Sequence, residues 1–210
     1  MALTKITGEG VGSLDAITIG DGTAADKKIL FDGNAQDYHI GLDDSSDSLT
    51  IGLGSALGTT SHMVIDASGR VTKPLQPCFS ARASIDNIPL TTTTTIPLSN
   101  ERFDVGGNVT SNTFTAPITG KYLFTYMLFF TNLDADHTGL DTHIKTSNFQ
   151  YQQTFRPDHF LSADSNFSVS GSVLADMDAA DTCIFTTRVA GGANTSDIHV
   201  DSHVSGVLIC

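Results

Sequence analysis

The chain has 210 residues, enough for one large domain or for a domain with a smaller appendage. Its formal net charge is -12, from 23 acidic and 11 basic residues, which argues against a nucleic-acid backbone or an anionic membrane as a partner. The chain has 19 glycines and short apolar runs separated by Thr, Ser, Asp and Asn, and it lacks long stretches of helix-forming residues. This composition predicts an all-β protein with many turns.

The three cysteines, Cys78, Cys183 and Cys210, are an odd number in a long chain, which predicts free thiols and a reducing cytoplasm as the place of synthesis. The first ten residues have no apolar core of signal-peptide length. The apolar run over 122–130 is too short to cross a bilayer as a helix. We therefore expect synthesis without a secretion signal and no membrane insertion.

Residues 1–76 differ from the rest of the chain, because their β-like pieces are short and carry few large apolar side chains. A single copy of this segment would bury too little surface to fold alone. We expect strands from several copies to wrap one axis or to pack as a small prism, so that the segment is ordered only in an oligomer. The predicted strand pieces are 16–20, 28–31, 38–41, 48–52 and 62–65.

The sequence Lys73-Pro74-Leu75-Gln76-Pro77 predicts a stiff, extended boundary, because two prolines in five residues interrupt strand pairing. After it, short strand patterns recur at even spacing without a helical period between them. This spacing predicts that residues 77–210 form one β sandwich or jelly roll. Its later strands are predicted at 140–146, 149–155, 166–174, 182–189 and 198–209.

The stretch FTAPITGKYLFTYMLFF, residues 114–130, is the longest apolar and aromatic run in the chain. Pro117 and Gly120 predict a turn, with Gly120 able to supply a positive φ. The residues that follow alternate, so we expect a strand with apolar residues on both faces, central in its sheet and covered on both sides. One face holds Tyr122, Phe124, Tyr126, Leu128 and Phe130, and the other holds Leu123, Thr125, Met127 and Phe129.

Five residues in this stretch, in the pattern Phe114-x5-Gly120-x-Tyr122-x-Phe124-x-Tyr126, resemble the signature of the globular head of complement subcomponent q. That head shares its fold with tumour necrosis factor. The opening Phe79-Ser80-Ala81 and the closing VSGVLI of 204–209 also resemble this family, although Val204 and Val207 stand where it has aromatic residues. Over 78–210, the resemblance implies a ten-stranded jelly-roll sandwich that forms a homotrimer, serves as a binding head and uses the five residues in its core and trimer contacts.

The N-terminal segment is similar to modules in virion fibre proteins of marine tailed bacteriophages, where such modules precede a receptor-binding or decorating head. The similar parts are MALTKITGEGVGSL, the run from Ile17 to Gly54, and HMVIDASGRVTKP. The resemblance implies a virion protein that contacts other virion proteins through residues 1–76 and a host surface glycan or protein through its head. The alternative is a capsid decoration, or cement, trimer that stabilises the phage head shell.

A carbohydrate-cleaving spike is a third hypothesis, and it requires paired carboxylates in a groove between subunits. The sequence has no Gly-x-Ser-x-Gly motif, and Glu101, the one Glu in 77–210, has no Asp partner at a recognisable spacing. We therefore expect a structural and binding protein without enzymatic activity or a cofactor.

His199, Asp201 and His203 would share one face of the strand predicted over 198–209. Four residues of strand span about 13 Å, too far for the two histidines of one chain to bind the same metal. In a trimer, each of the three residues could form a ring around the three-fold axis that binds a metal or an anion. The alternative is an ordinary polar strand face.

Two groups of acidic residues lie in predicted loops, and the family resemblance makes Ca²⁺ a candidate ligand for them. The groups are Asp134-Ala135-Asp136-His137 and the set Asp176, Asp178 and Asp181. Neither has the pattern of an EF-hand, so the alternative is solvated loop charge. Because loops carry most binding contacts, we expect 132–139, 156–165 and 190–197 to make the outward contacts of the head.

Overall fold

The computed structural model describes residues 15–210, so the motif MALTKITGEGVGSL lies outside the described residues. The chain divides into two compact units, and the division falls between Pro74 and Leu75. None of the described residues belongs to a helix long and apolar enough to cross a membrane.

The first unit contains one antiparallel sheet in which five consecutive strands pair in chain order. The strands are β1 (Lys27–Phe31), β2 (Tyr38–Asp43), β3 (Ser48–Leu53), β4 (Ser61–Ile65) and β5 (Val71–Thr72). The strands predicted at 28–31, 38–41, 48–52 and 62–65 are confirmed. The strand predicted at 16–20 is wrong, because these residues are exposed and pair with no described strand. Two alternating isoleucines are too short a pattern to specify a strand.

The second unit, which we call the head, is a sandwich of two antiparallel sheets. Sheet one has the order β9-β6-β18-β12-β15, and sheet two has the order β10-β11-β16-β13-β14. These ten strands are β6 (Cys78–Ala83), β9 (Leu98–Val105), β10 (Val109–Thr110), β11 (Thr113–Thr115), β12 (Gly120–Leu133), β13 (His137–Thr146), β14 (Gln150–Phe155), β15 (Ser165–Met177), β16 (Thr182–Gly191) and β18 (His203–Leu208). From β11 onward the chain crosses repeatedly between the sheets, so the predicted all-β, ten-stranded jelly roll is confirmed.

Three short strands and one helical turn extend this framework. β7 (Ile85–Ile88) pairs with β17 (Ser196–Ile198), which continues the edge of β12 beyond β18, and β8 (Thr94–Thr95) pairs with β16. The single turn α1 (Pro157–Phe160) begins with Pro157, whose fixed φ suits the first helical position. Periodicity did not predict α1, because one helical turn is shorter than the window that such patterns need.

The core lies between the two sheets and is built around β12. Tyr122, Phe124, Leu128 and Phe130 are fully buried, and Tyr126 is nearly so, which confirms the predicted inward face. Phe114 of β11 stacks on Phe79 at a ring distance of 5.3 Å and meets Phe124 edge-on at 5.5 Å. β12 is also central in its sheet, because it pairs with β15 on one side and with β17 and β18 on the other.

The prediction of one continuous strand over 198–209 is wrong, because a turn separates β17 from β18. The backbone N–H of Ser202 donates to the carbonyl oxygen of His199, 2.9 Å away. The side chain of Ser202 accepts a hydrogen bond from the Phe129 N–H at 2.8 Å. Polar side chains that bond to nearby backbone groups stabilise turns, and here they interrupt an alternating pattern.

Candidate functional site

Gly120 is at the first position of β12, but the reason predicted for it is wrong. It does not have a positive φ. A Cβ at this position would lie 2.6 Å from Cδ1 of Leu208 and 2.7 Å from the carbonyl oxygen of Cys210. Glycine is therefore required by the close approach of the C-terminal strand, not by the turn.

Tyr126 links the core to the open edge between β14 and β15. Its hydroxyl donates to Oε1 of Gln153 at 2.8 Å and lies 2.7 Å from Oγ1 of Thr142. Burial raises the pKa of this phenol, so it stays a neutral hydrogen-bonding group. The ring lies under Gly171 and lines a hollow of about 140 Å³ together with Tyr151.

The middle of the outward side of sheet one carries few charged side chains, and we call it the sheet-one face. Cross-strand pairing arranges its side chains in three rows. The first row is Leu174, Leu123, Val207, Cys78 and Val105; the second is Ser172, Thr125, Ser205, Ser80 and Phe103; the third is Ser170, Met127, His203, Arg82 and Ser99. Arg82 is the one Arg, Lys, Asp or Glu side chain in these rows.

Several side chains on the sheet-one face remain in contact with water in the single chain. Leu174 is 57% exposed, Phe103 is 51% exposed and Met127 is 38% exposed. The hydroxyls of Thr125 and Ser205 are 2.7 Å apart and form a hydrogen bond across β12 and β18, so these two central polar groups have a partner within the chain. A face with paired hydroxyls and exposed apolar groups is suited to contact with another protein surface. The predicted cover on this side of β12 is thus absent from the described residues of one chain.

The three residues predicted to bind a metal are placed in different settings. Nδ1 of His199 lies 3.3 Å from Oδ2 of Asp201 within the turn after β17, and the His199 ring packs against Phe129. His203 lies in β18, on the sheet-one face between Met127 and Arg82. The shared strand face expected for them is wrong, because the turn separates His199 and Asp201 from His203. A ring formed between subunits stays a prediction.

The three loops expected to make outward contacts come together at one end of the head. Their central group is the carboxylate of Asp134, whose side chain is buried. Oδ2 accepts hydrogen bonds from the backbone N–H groups of Ala193 (2.9 Å) and Asn194 (3.0 Å), and Oδ1 accepts one from Asp136 (2.9 Å). These bonds hold the pKa of Asp134 below its ordinary value, the Asn194 N–H contributing most.

His137 completes this buried cluster. Its Nδ1 is 2.8 Å from the carbonyl oxygen of Gly191, which can only accept, so Nδ1 carries the proton. Its Nε2 is 2.9 Å from Oγ of Ser196. Gly192, with φ +68°, lies against both acid and imidazole, because a Cβ there would be 2.5 Å from Oδ2 of Asp134. The loop after β16 is therefore fixed in a conformation that favours glycine at this position.

Asp197 also forms hydrogen bonds at this end of the head. Its Oδ1 accepts from the Asn87 N–H at 2.7 Å, and its Oδ2 accepts from Nδ2 of Asn132 at 2.8 Å. The third loop joins through Asp164, whose Oδ1 accepts from the Ala135 N–H at 2.9 Å. These roles could not be predicted from the sequence, because the partners are separated by 29 to 110 residues and no short motif relates them.

The position of this loop cluster follows from the direction of β12. The loops lie beyond the Leu133 end of β12. The head begins at the Gly120 end, where β6 opens with Cys78 opposite Val207 and the Lys121 N–H donates to the carbonyl oxygen of Cys210. We call the cluster formed by 132–137, 156–164 and 191–197 the distal loops, because it lies at the end of the head opposite residue 78.

Neither acidic loop group offers a set of free oxygens to a cation. The oxygens of Asp134 accept loop N–H groups, and those of Asp181 accept from Ser147, Asn148 and the Asp178 N–H. Asp176 pairs with Lys121 at 2.5 Å. Over residues 15–210 of a single chain, no three His, Cys, Asp or Glu side chains are grouped closely enough to hold a metal ion. Within one chain, these groups do not provide the roughly six to eight free oxygen ligands that Ca²⁺ takes. Binding of Ca²⁺ stays a prediction.

Comparison with known proteins gives similar solved structures for the head. The chain is similar to the globular domain of zebrafish complement 1qA protein, with 17% identity, a TM-score of 0.48, and coverage of 64% of this chain and 98% of that one. It is also similar to murine APRIL, with 9% identity, a TM-score of 0.43, and coverage of 63% of this chain and 99% of that one. The sequence matches no protein-family model and no curated protein.

Proposed function

We propose that this chain is a non-enzymatic structural protein of a tailed-bacteriophage virion. In this proposal it forms a homotrimeric fibre or appendage whose jelly-roll head binds a host surface glycan or protein. Residues 1–76 attach it to other virion proteins. The observation that carries the binding role is the distal loop cluster, in which three loops are hydrogen-bonded together at the end of the head opposite residue 78. The assignment to a virion rests on the resemblance of the N-terminal segment to modules of phage fibre proteins.

The sheet-one face supports the homotrimer. It leaves Leu174, Phe103 and Met127 substantially exposed, and its three rows carry one strong cation and no carboxylate. A subunit contact over this face would remove apolar area from water without desolvating unpaired acids, which favours association of an acidic chain.

The distal loops support the binding role. Hydrogen bonds join the three loops, and the bond from the Ala135 N–H to Asp164, which attaches the loop over 156–164, lies at the surface. The loops present exposed groups such as Phe160, whose side chain is 47% exposed and packs on Phe167 at a ring distance of 4.8 Å. A pre-organised loop surface loses little conformational entropy when it binds. An exposed aromatic ring supplies contact area for a sugar ring or for a protein side chain.

Location on the particle is tested by electron microscopy of virions decorated with an antibody against the head. A few labelled positions on the tail support the fibre. Many copies over the capsid shell would instead identify a decoration protein, and absence from purified virions would contradict both.

Host binding is tested with the purified full chain and intact host cells. Phe160→Ser should weaken binding, because it removes the exposed ring of the distal loops. Phe149→Ser is the matched control, because Phe149 is 61% exposed and lies in the loop between β13 and β14, at the opposite end of the head. Equal effects of the two substitutions would contradict a distal binding surface. Release of sugars from host glycans by the wild-type chain would contradict the non-enzymatic assignment.

A further inference from the structure

The sheet of the first unit has an inverted arrangement of its two faces. Along β2 the exposed residues are Tyr38, Ile40 and Leu42, and the alternating buried ones are His39, Gly41 and Asp43. β3 repeats the inversion, with Leu49 and Ile51 exposed and with Ser48, Thr50 and Gly52 buried. A sheet with one solvated face normally has its apolar residues inside and its polar residues outside.

Cross-strand pairing aligns the outward residues in three rows, which we call the apolar face. The central row is Ile29, Ile40, Ile51 and Met63; a second is Leu42, Leu49, Ile65 and Val71; a third is Phe31, Tyr38 and Leu53. Lys27, at the edge of the second row, pairs with Asp21 at 3.0 Å. No carboxylate belongs to these rows.

The unit covers the opposite, polar face with its own chain. The loop over 54–60 lies on it, with Leu57 buried and its Cδ1 3.0 Å from where a Cβ of Gly41 would stand. Nδ1 of His39 donates to the carbonyl oxygen of Gly54 at 2.9 Å. The short, polar residues of this face are thus packed within one copy, although Nε2 of His39 is buried without a hydrogen-bond partner, while the apolar rows remain substantially open among the described residues.

The apolar face exposes more apolar area to water than a patch on the surface of a typical monomeric protein does. Eight of its side chains are between 37% and 54% exposed. With large side chains of roughly 200 Å² each, they leave on the order of 700 Å² of mainly apolar area in water, above the few hundred Å² typical of a monomer. This area is close to the roughly 800 Å² per partner that a stable protein interface buries.

We infer that the apolar face packs against the same face of other copies of this chain. An apolar face whose rows carry no carboxylate has no like charges to repel a second copy of itself, whereas the rest of this acidic chain repels its own copies. The inference rests on the proposed homotrimer for the source of those copies. Three associated heads hold three first units at high local concentration, since few residues join the two units. Three such sheets would enclose one shared apolar core.

The test is hydroxyl-radical footprinting of the full-length protein, with the mass of the assembly measured by light scattering on the same sample. Phe31, Tyr38 and Leu42, each substantially exposed in the single chain, report on the apolar face, and Phe149 of the head is the internal exposed reference. Packing between copies predicts labelling of the three reporters several-fold below that of their unfolded-chain references, while Phe149 stays labelled. Reporters labelled freely in a trimer would overturn the inference and leave the proposed head trimer standing. A monomer would overturn the proposed assembly and the inference with it.

Two variants test whether the group that covers the apolar face is another copy of this chain. Ile40→Asp places a charge in the central row and should restore labelling of Tyr38 and Leu42, with labelling of the buried head residue Tyr122 unchanged. Leu30→Asp is the matched control, because Leu30 is 39% exposed but lies on the opposite face, in register with His39. It should leave the reporters protected. Persistent protection in Ile40→Asp, equal deprotection by both variants, or protection in a monomer would each overturn the inference.

Discussion

The carboxylate of Asp134 accepts a hydrogen bond from the backbone N–H of Asn194, 3.0 Å away and 60 residues further along the chain. This contact joins the loop after β12 to the loop after β16. The carboxylate is buried, and it also accepts hydrogen bonds from the N–H groups of Asp136 and Ala193. It therefore fixes the conformation of these two loops relative to each other.

Asp134→Asn should loosen the distal loops. The amide keeps the shape of the acid but replaces one acceptor oxygen with a donor, so buried N–H groups lose their partner at a cost of about 1–3 kcal/mol. Faster hydrogen exchange of 191–197 is the expected readout, with β12 unchanged. Asp136→Asn is the control, since only its backbone N–H takes part in the cluster.

The pKa of Asp134 is depressed below 3.8, so the stability that its carboxylate gives to the loops is complete above that pH and is lost as the pH falls through the lower, folded-state pKa. Wild-type loops should therefore show this acid transition and Asp134→Asn should lack it; an identical acid response in both would contradict the assignment.

Gly171→Ala tests the fit at the open edge of the sandwich. A Cβ at Gly171 would lie 2.6 Å from Cζ and from the hydroxyl of Tyr126, so the ring must move from its hydrogen bonds. We expect a loss of about 1–3 kcal/mol, measured by chemical denaturation. Gly139→Ala in β13 is the control, because its Cβ would meet nothing closer than 3.8 Å. Equal stability of the two variants would show that Tyr126 is free to shift.

Phe124→Ser should damage the core. Phe124 is fully buried and contacts the rings of Phe79, Phe114 and Phe185. Removing such a ring costs about 3–5 kcal/mol, and Tyr122→Ser should have a similar effect. Phe149→Ser, at an exposed position, should stay within about 0.5 kcal/mol of the wild type. A folded, stable Phe124→Ser head would contradict the placement of β12.

The three thiols should react in a fixed order with a thiol reagent under native conditions. Cys210 is exposed and should react first. Cys183 is buried, and burial raises the pKa of its thiol, so it should react only after unfolding. Cys78 lies in the first row of the sheet-one face, and a trimer over that face should slow its reaction. Rapid native labelling of Cys183 would contradict the packing of β16.

Alternation predicted β12 well because its two faces meet different surroundings, and the aromatic residues at 122, 124 and 126 all point into one core. The same reasoning failed at 198–209, where local bonds of His199 and Ser202 decide the turn while the apolar residues still alternate. It also gave the wrong reason for Gly120, because the close contact comes from Leu208 and Cys210 at the far end of the chain.

For the distal loops too, the sequence predicted one property and missed another. Their loop character was visible in the sequence, since glycine, asparagine and aspartate cluster there. Their mutual attachment was not, because Asp134 and Asp197 act on N–H groups distant in sequence. Of the acidic residues that suggested Ca²⁺, Asp134 and Asp181 accept hydrogen bonds from the protein itself, which residue type alone does not reveal.

The homotrimer is tested most directly by the mass of the purified full chain in solution, measured by light scattering beside the variant Met127→Asp. The wild type should have three times the 22.2 kDa mass of the chain. Met127→Asp places a charge in the third row of the sheet-one face and should give a folded monomer, whereas Phe149→Asp, outside that face, should remain a trimer. A wild-type monomer at micromolar concentration, or a Met127→Asp variant that stays trimeric, would contradict association through the sheet-one face.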